Sequence, residues 1–320
     1  MINKALLLMF FCFLLAACSG SDGDVRDIPA PDSNNPEIRL KADVWQMMEG
    51  TRATTYDNAE ALQSETSGFT CYAYTANSTT VNTDAGINGS NVKWNSTNSA
   101  WEFQDGPDPH RWPSSGDLDF FCYMPADPNT DSYMETAASY ISGISYAATD
   151  GPTPTHTVGF SCNMALDVDK EFVFALALGK NKSNAGSGVS LTFLHPFARI
   201  RFKLSEASGT SITINSITLG GDYYKTANYS YNGSASTWTP SGVPDAFGTC
   251  NLNVDYLVIP HNYGSQTLTV NATWNEWSAV TRNVSASVNF NWEAGHSYTY
   301  TLTLKEYTLI VDVSKFTEQW

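Results

Sequence analysis

Basic side chains are scarce in this chain: 17 lysines and arginines stand against 32 aspartates and glutamates, a formal net charge of −15 over 320 residues. That balance repels phosphate backbones and anionic membrane surfaces, so nucleic acid and acidic lipid headgroups are excluded as natural partners. Charge of either sign is thin, at 15% of residues, while Thr, Ser, Asn and aromatics are plentiful, a composition that favours strands over helices. There are six cysteines and no CxxC pair, which leaves a zinc knuckle or a thioredoxin-like site without support. The five histidines, His110, His156, His195, His261 and His296, are scattered and none has a metal-ligating neighbour at useful spacing, so neither metal nor other cofactor is expected. A GxSxG elbow, a P-loop and a GxGxxG turn are all missing. Asp117 and Asp119 lie two apart and share one side of a strand, but acids near a turn are read as solvated, and no enzyme is expected.

Long apolar runs are also absent. The one candidate, residues 5–15, is too short to span a bilayer and follows Lys4, the anatomy of a removable export signal. Leu15-Ala16-Ala17-Cys18 resembles a bacterial lipobox, which implies cleavage by a lipoprotein signal peptidase and acylation of Cys18, anchoring the chain to the outer membrane. Residues 19–36 hold Gly, Ser, Asp, Pro and Asn with little to bury, a flexible tether. Their Ser19-Gly20-Ser21-Asp22-Gly23-Asp24 start resembles the acidic stretch that sends Bacteroidota lipoproteins to the outer face. Cys71, Cys122, Cys162 and Cys250 remain in the mature body; the first two lie in strand-like runs and read as buried small apolar residues, with a disulfide open in an oxidising compartment.

The body reads as all-β. Ile38, Leu40, Ala42 and Val44 alternate with Arg39, Lys41 and Asp43, the period of a half-buried strand. Residues 69–75 and 118–124 are strand-like, the latter stopped by Pro125, and residues 92–94 and 101–103 predict a hairpin about Asn95 to Asn98. The apolar run 171–178 fits a buried helix or strand by period alone, and the Gly/Asn/Ser loop after it favours a central strand. Further on, Ala198, Ile200, Phe202 and Leu204 oppose Arg199, Arg201 and Lys203, a basic stripe expected to be solvated or paired with acids. Ile212 and Ile214 fall out of phase with Ile217 and Leu219, which predicts a bulge near Asn215-Ser216. Many short strands at such spacing predict two sandwiches in tandem, residues 37–183 and 184–320.

Several segments, in this order, resemble the Bacteroidales fimbrillin family of surface lipoproteins. They are the lipobox Cys18, the strand of residues 38–44 followed by Thr51-Arg52-Ala53, Trp112-Pro113 ahead of residues 118–125, residues 189–202, Trp292-Glu293-Ala294-Gly295-His296 running into Tyr298 and Tyr300, and the terminal Trp320. The resemblance implies two transthyretin-like β-sandwiches, a role as a fimbrial (pilus) subunit, and assembly with other fimbrial subunits into a homo- or heteropolymer by donor-strand exchange. It further implies that an arginine-specific surface protease cuts after Arg52, exposing Ala53 and releasing the strand that carries Ile38, Leu40, Ala42 and Val44. A neighbour's strand would then fill the groove. Leu309, Val311 and Val313 alternate in the tail and make it the candidate donor; the same pattern also suits the last strand of its own sandwich. The alternative function is a surface glycan-binding lipoprotein, with Trp274 and Trp277, close together near a loop, stacking on sugar rings.

Overall fold

The computed structural model describes residues 36–44, 56–105, 109–129, 140–164, 171–205, 212–275, 278–305 and 308–317. Before residue 194 the described residues form nine strands: β1 (Leu40–Val44), β2 (Phe69–Thr75), β3 (Asn88–Asn95), β4 (Ala100–Phe103), β5 (Leu118–Met124), β6 (Ile141–Thr149), β7 (Thr155–Asn163), β8 (Val173–Lys180) and β9 (Val189–Phe193). Among the described residues there is one short helix, α1 (Ala59–Ser64), which starts where the Asn58 side chain accepts the Ala61 N–H and buries only Leu62. Seven of the strands form one sheet in the order β8-β5-β2-β3-β4-β1-β9.

That sheet has apolar side chains on both faces, and the chain's continuous hydrophobic runs follow from this. Phe69, Cys71, Ala73, Phe120, Cys122, Val173 and Ala175 point into a first core with Ile38, Leu40 and Val44. Their neighbours Tyr72, Tyr74, Phe121, Tyr123, Phe174 and Leu176 point the other way into a second aromatic layer. A strand dry on both sides loses its alternation, which is why residues 118–124 and 171–178 read as unbroken apolar stretches. The run 171–178 is a strand, though it ends the sheet order instead of lying centrally. On its far side, Phe174 N donates to Leu194 O at 3.3 Å and Leu194 N donates to Phe174 O at 2.7 Å, so the two ends of the sheet meet.

The remaining strands are β10 (Ala198–Leu204), β11 (Ile212–Leu219), β12 (Asp222–Tyr223), β13 (Thr226–Tyr231), β14 (Ser236–Ser241), β15 (Asp245–Ala246), β16 (Thr249–Cys250), β17 (Asp255–Val258), β18 (His261–Asn275), β19 (Ala279–Trp292), β20 (His296–Lys305) and β21 (Thr308–Thr317). Two four-stranded sheets, β17-β10-β20-β21 and β16-β11-β18-β19, enclose a separate core of Ile200, Phe202, Val270, Tyr300 and Leu302. Ala198, Ile200 and Phe202 face this core as their alternation predicts, the β11–β18 register shifts between Ile214 and Ser216 as expected, and Leu268, Val270, Ala272 and Trp274 face inward from β18.

Two pairings cross the expected division at residue 183. β9 follows it in sequence yet completes the first sheet, and Val189, Leu191 and Phe193 belong to the first core. β13 pairs along β7 from Thr226↔Asn163 to Tyr231↔Val158, giving the sheet β14-β13-β7-β6 that covers the aromatic layer. The loop of residues 181–188 has the composition of a turn, and a turn separates strands within a domain as readily as it separates domains.

Candidate assembly site

β1 is held unequally by its two sheet neighbours. It lies parallel to β9 through five residue pairs, Leu40↔Val189 to Val44↔Phe193, and meets β4 antiparallel only at Leu40↔Trp101. Neither neighbour is joined to it by a hairpin: the parallel pair with β9 requires a long crossover, and β2 and β3 come between β1 and β4 in the chain. What retains it is burial and backbone bonding. Ile38, Leu40 and Val44 are 1%, 5% and 3% exposed, and Ala42 is half-buried. Ile38 N donates to His110 O at 2.8 Å, and Val189 N donates to Arg39 O at 2.7 Å. The opposite face is polar: Arg39 lies 3.4 Å from Glu37, and Lys41 Nζ donates to Ser187 Oγ at 2.6 Å. Because β4 touches only one end, a cleft of about 680 Å³ opens beside β1, between Arg39, Lys41, Trp94 and Glu102.

Chain re-entry after β1 is clamped. Tyr56 is fully buried and its hydroxyl donates to Glu65 Oε2 at 2.9 Å. Burial first, then the Glu65 carboxylate, raises the Tyr56 pKa, so the hydroxyl keeps its proton and remains the donor. The next residue, Asp57, accepts from Arg199 Nη1 at 3.1 and 3.2 Å. Arg52 and Ala53 lie between β1 and this clamp, outside the described residues, as does Cys18. Nothing in the sequence marked Tyr56 as an anchor; its partner Glu65 is nine positions on and only the fold brings them together.

The tail is an edge strand of its own sandwich. β21 pairs antiparallel with β20 from Lys305↔Thr308 to His296↔Thr317 and ends the sheet β17-β10-β20-β21, with no strand on its outer edge among the described residues. Leu309 is buried and Val311 packs against the C-terminal core, whereas Val313 is 47% exposed; on the other face Ile310 is 49% and Phe316 41% exposed. Large apolar side chains this exposed are otherwise found, among the described residues, only at Val243.

Other sequence candidates resolve into structure. Trp274 is 4% exposed and in phase with Leu268, Val270 and Ala272, so it presents no open ring for a sugar; that phase was readable in the sequence. Trp277 lies outside the described residues. Asp119 is not solvated: it is 1% exposed and accepts from Asn77 N at 2.7 Å, Gly179 N at 2.8 Å and the Tyr146 hydroxyl at 3.1 Å. Asp117 accepts from Asn181 Nδ2 at 2.8 Å, so the two acids bond to different partners and face no common cleft. In the basic stripe, Arg199 pairs with Asp57 and Arg201 forks onto Asp255, both arginines being buried, while Lys203 is exposed. His195 Nδ1 lies 2.9 Å from Glu171 Oε1 in a buried pair that sequence spacing did not reveal. Among the described residues no group of three or more His, Cys, Asp and Glu could hold a metal, and no helix is long and apolar enough to cross a membrane.

Comparison with known proteins gives one family match: a model described as fimbrillin-like fits residues 51–320. No curated protein matches. Among solved structures, a fimbrial protein from Bacteroides vulgatus ATCC 8482 shares 15% identity over 88% of this chain and 99% of its own, with a TM-score of 0.54. Candidate cell adhesion proteins from Bacteroides uniformis ATCC 8492 (18% identity; 88% and 98% of the chains; TM-score 0.44) and Bacteroides ovatus ATCC 8483 (15%; 88% and 97%; 0.48) align over similar lengths. At such identities the likeness is one of fold, and it is the first of these structures that carries it.

Proposed function

The chain belongs to the fimbrillin-like family, and we propose that it is a structural, non-enzymatic subunit of a cell-surface fimbrium, exported as a lipoprotein acylated at Cys18 and made competent for assembly by removal of β1. A cut after Arg52 by an arginine-specific protease leaves Ala53 as the new N-terminus, three residues before buried Tyr56. The Tyr56–Glu65 and Asp57–Arg199 contacts then hold the shortened chain in place while β1 is free to depart.

The observation that carries this reading is that β1 fills a core slot without a hairpin tie to either neighbour. Its three buried side chains contribute about 5–9 kcal/mol at ~1.5–3 kcal/mol each, and an emptied slot between β4 and β9 is a strong acceptor for another strand. The tail of a second subunit is the proposed donor, since β21 carries alternating apolar residues on an edge and has Val313 among them exposed already, with Ile310 and Phe316 exposed on its other face. The family match begins at residue 51, beside the proposed cut. N-terminal sequencing of the subunit recovered from intact cells tests the processing step: a start at Ala53 supports it, and a population that uniformly retains acylated Cys18 rejects it.

A further inference from the structure

We propose that Cys71 and Cys122 form a cross-strand disulfide in the mature protein, bonding β2 to β5 in the sheet that holds β1; the proposal rests on the export reading above, which delivers the folding chain to an oxidising compartment. Cys71 and Cys122 are direct Cα partners in the antiparallel β2–β5 pair. Opposed residues in such a pair have Cα atoms about 4.5 or 5.5 Å apart, within the ~4.4–6.8 Å that a disulfide spans. Their side chains already face one another, with Cys122 Sγ donating to Cys71 Sγ at 3.3 Å, and both are fully buried. No other cysteine among the described residues competes, because Cys162 lies in the aromatic layer and Cys250 in the C-terminal core.

Burial, with Cys71 beside it, pushes the Cys122 thiol well above its ordinary value, so the closed core suppresses the thiolate that exchange needs. Oxidation therefore belongs to folding, before β2 and β5 close. A thiolate of one cysteine attacks the disulfide of a thiol oxidase and forms a mixed disulfide. The second cysteine's thiolate then displaces the oxidase. Two electrons pass to the oxidase disulfide, which leaves as a dithiol carrying the two protons.

The bond would matter most when β1 is gone. Both sulfurs lie in the same core as Ile38, Leu40 and Val44, and the link closes a loop across 51 positions, which restricts the unfolded chain far more than the folded one. A bonded β2–β5 pair keeps the vacated sheet folded until a replacement strand arrives.

The test refolds the reduced, unfolded full chain in a glutathione redox buffer set to the poise of an oxidising secretory compartment, blocks residual thiols with iodoacetamide and maps the peptides. The same mapping is done on protein recovered from the cell surface. The expected result in both is a Cys71–Cys122 peptide pair with Cys162 and Cys250 alkylated, and a higher Tm for the oxidised than for the reduced chain. Refolding that leaves Cys71, Cys122, Cys162 and Cys250 all alkylated, or joins Cys162 or Cys250, overturns the assignment. A mature surface chain with free Cys71 and Cys122 also overturns it while leaving export intact. A chain that retains residues 1–18 with every thiol free overturns both.

Discussion

Leu40 and Lys41 are adjacent in sequence but project from opposite sides of β1, and comparing them tests whether burial is what retains that strand. Leu40 is 5% exposed within the first core, whereas Lys41 is exposed and its side chain donates to Ser187. Once the chain is cut after Arg52, β1 is a separate segment. Its buried side chains supply about 5–9 kcal/mol and the ladder to β9 about 0.5–1.5 kcal/mol per bond. Against this stands a cost of about 4–15 kcal/mol for holding a free segment. The sums nearly cancel, so small losses decide occupancy. Leu40→Ala removes about 2–4 kcal/mol of transfer and cavity energy, a factor of roughly 30 to 1,000 in retention of the cut strand. Lys41→Ala, a surface change, is worth no more than about 0.5 kcal/mol, or roughly twofold. Native mass spectrometry of the cut protein after dilution reads the fraction still carrying its N-terminal segment over time. Equal release from the two variants would falsify the claim that the apolar face holds β1.

Val311→Asp is expected to leave a folded monomer, since Val311 is half-buried on an edge strand, and to abolish polymer ladders on a non-denaturing gel; ladders that persist unchanged mean that the tail is not the donor. Arg201→Ala strands the buried Asp255 carboxylate and is expected to cost about 3–5 kcal/mol in urea unfolding, with a shift below 1 kcal/mol contradicting the pairing.

Much of the fold was legible because periodicity reports which side of a strand is dry. The inward faces of β10 and β20 and the bulge after Ile214 could each be read from a few consecutive residues. Trp274 belonged to the same class of signal: its phase with Leu268, Val270 and Ala272 outweighed its nearness to a loop. Asp119 was misread because its three donors come from Asn77, Tyr146 and Gly179, each more than 25 positions away.

The order of residues along the chain was enough to establish an all-β protein, strands over residues 69–75 and 118–124, and an apolar face on residues 38–44. Strand neighbours were another matter. That β1 lies parallel to β9, that β9 completes the sheet begun by residues before 183, and that β13 joins β7 depend on the joint packing of three cores. Alternation fixes a side chain's face within its own strand, whereas backbone edges are chemically alike and accept any strand. Only the summed burial and hydrogen bonding of the whole chain selects which edges meet.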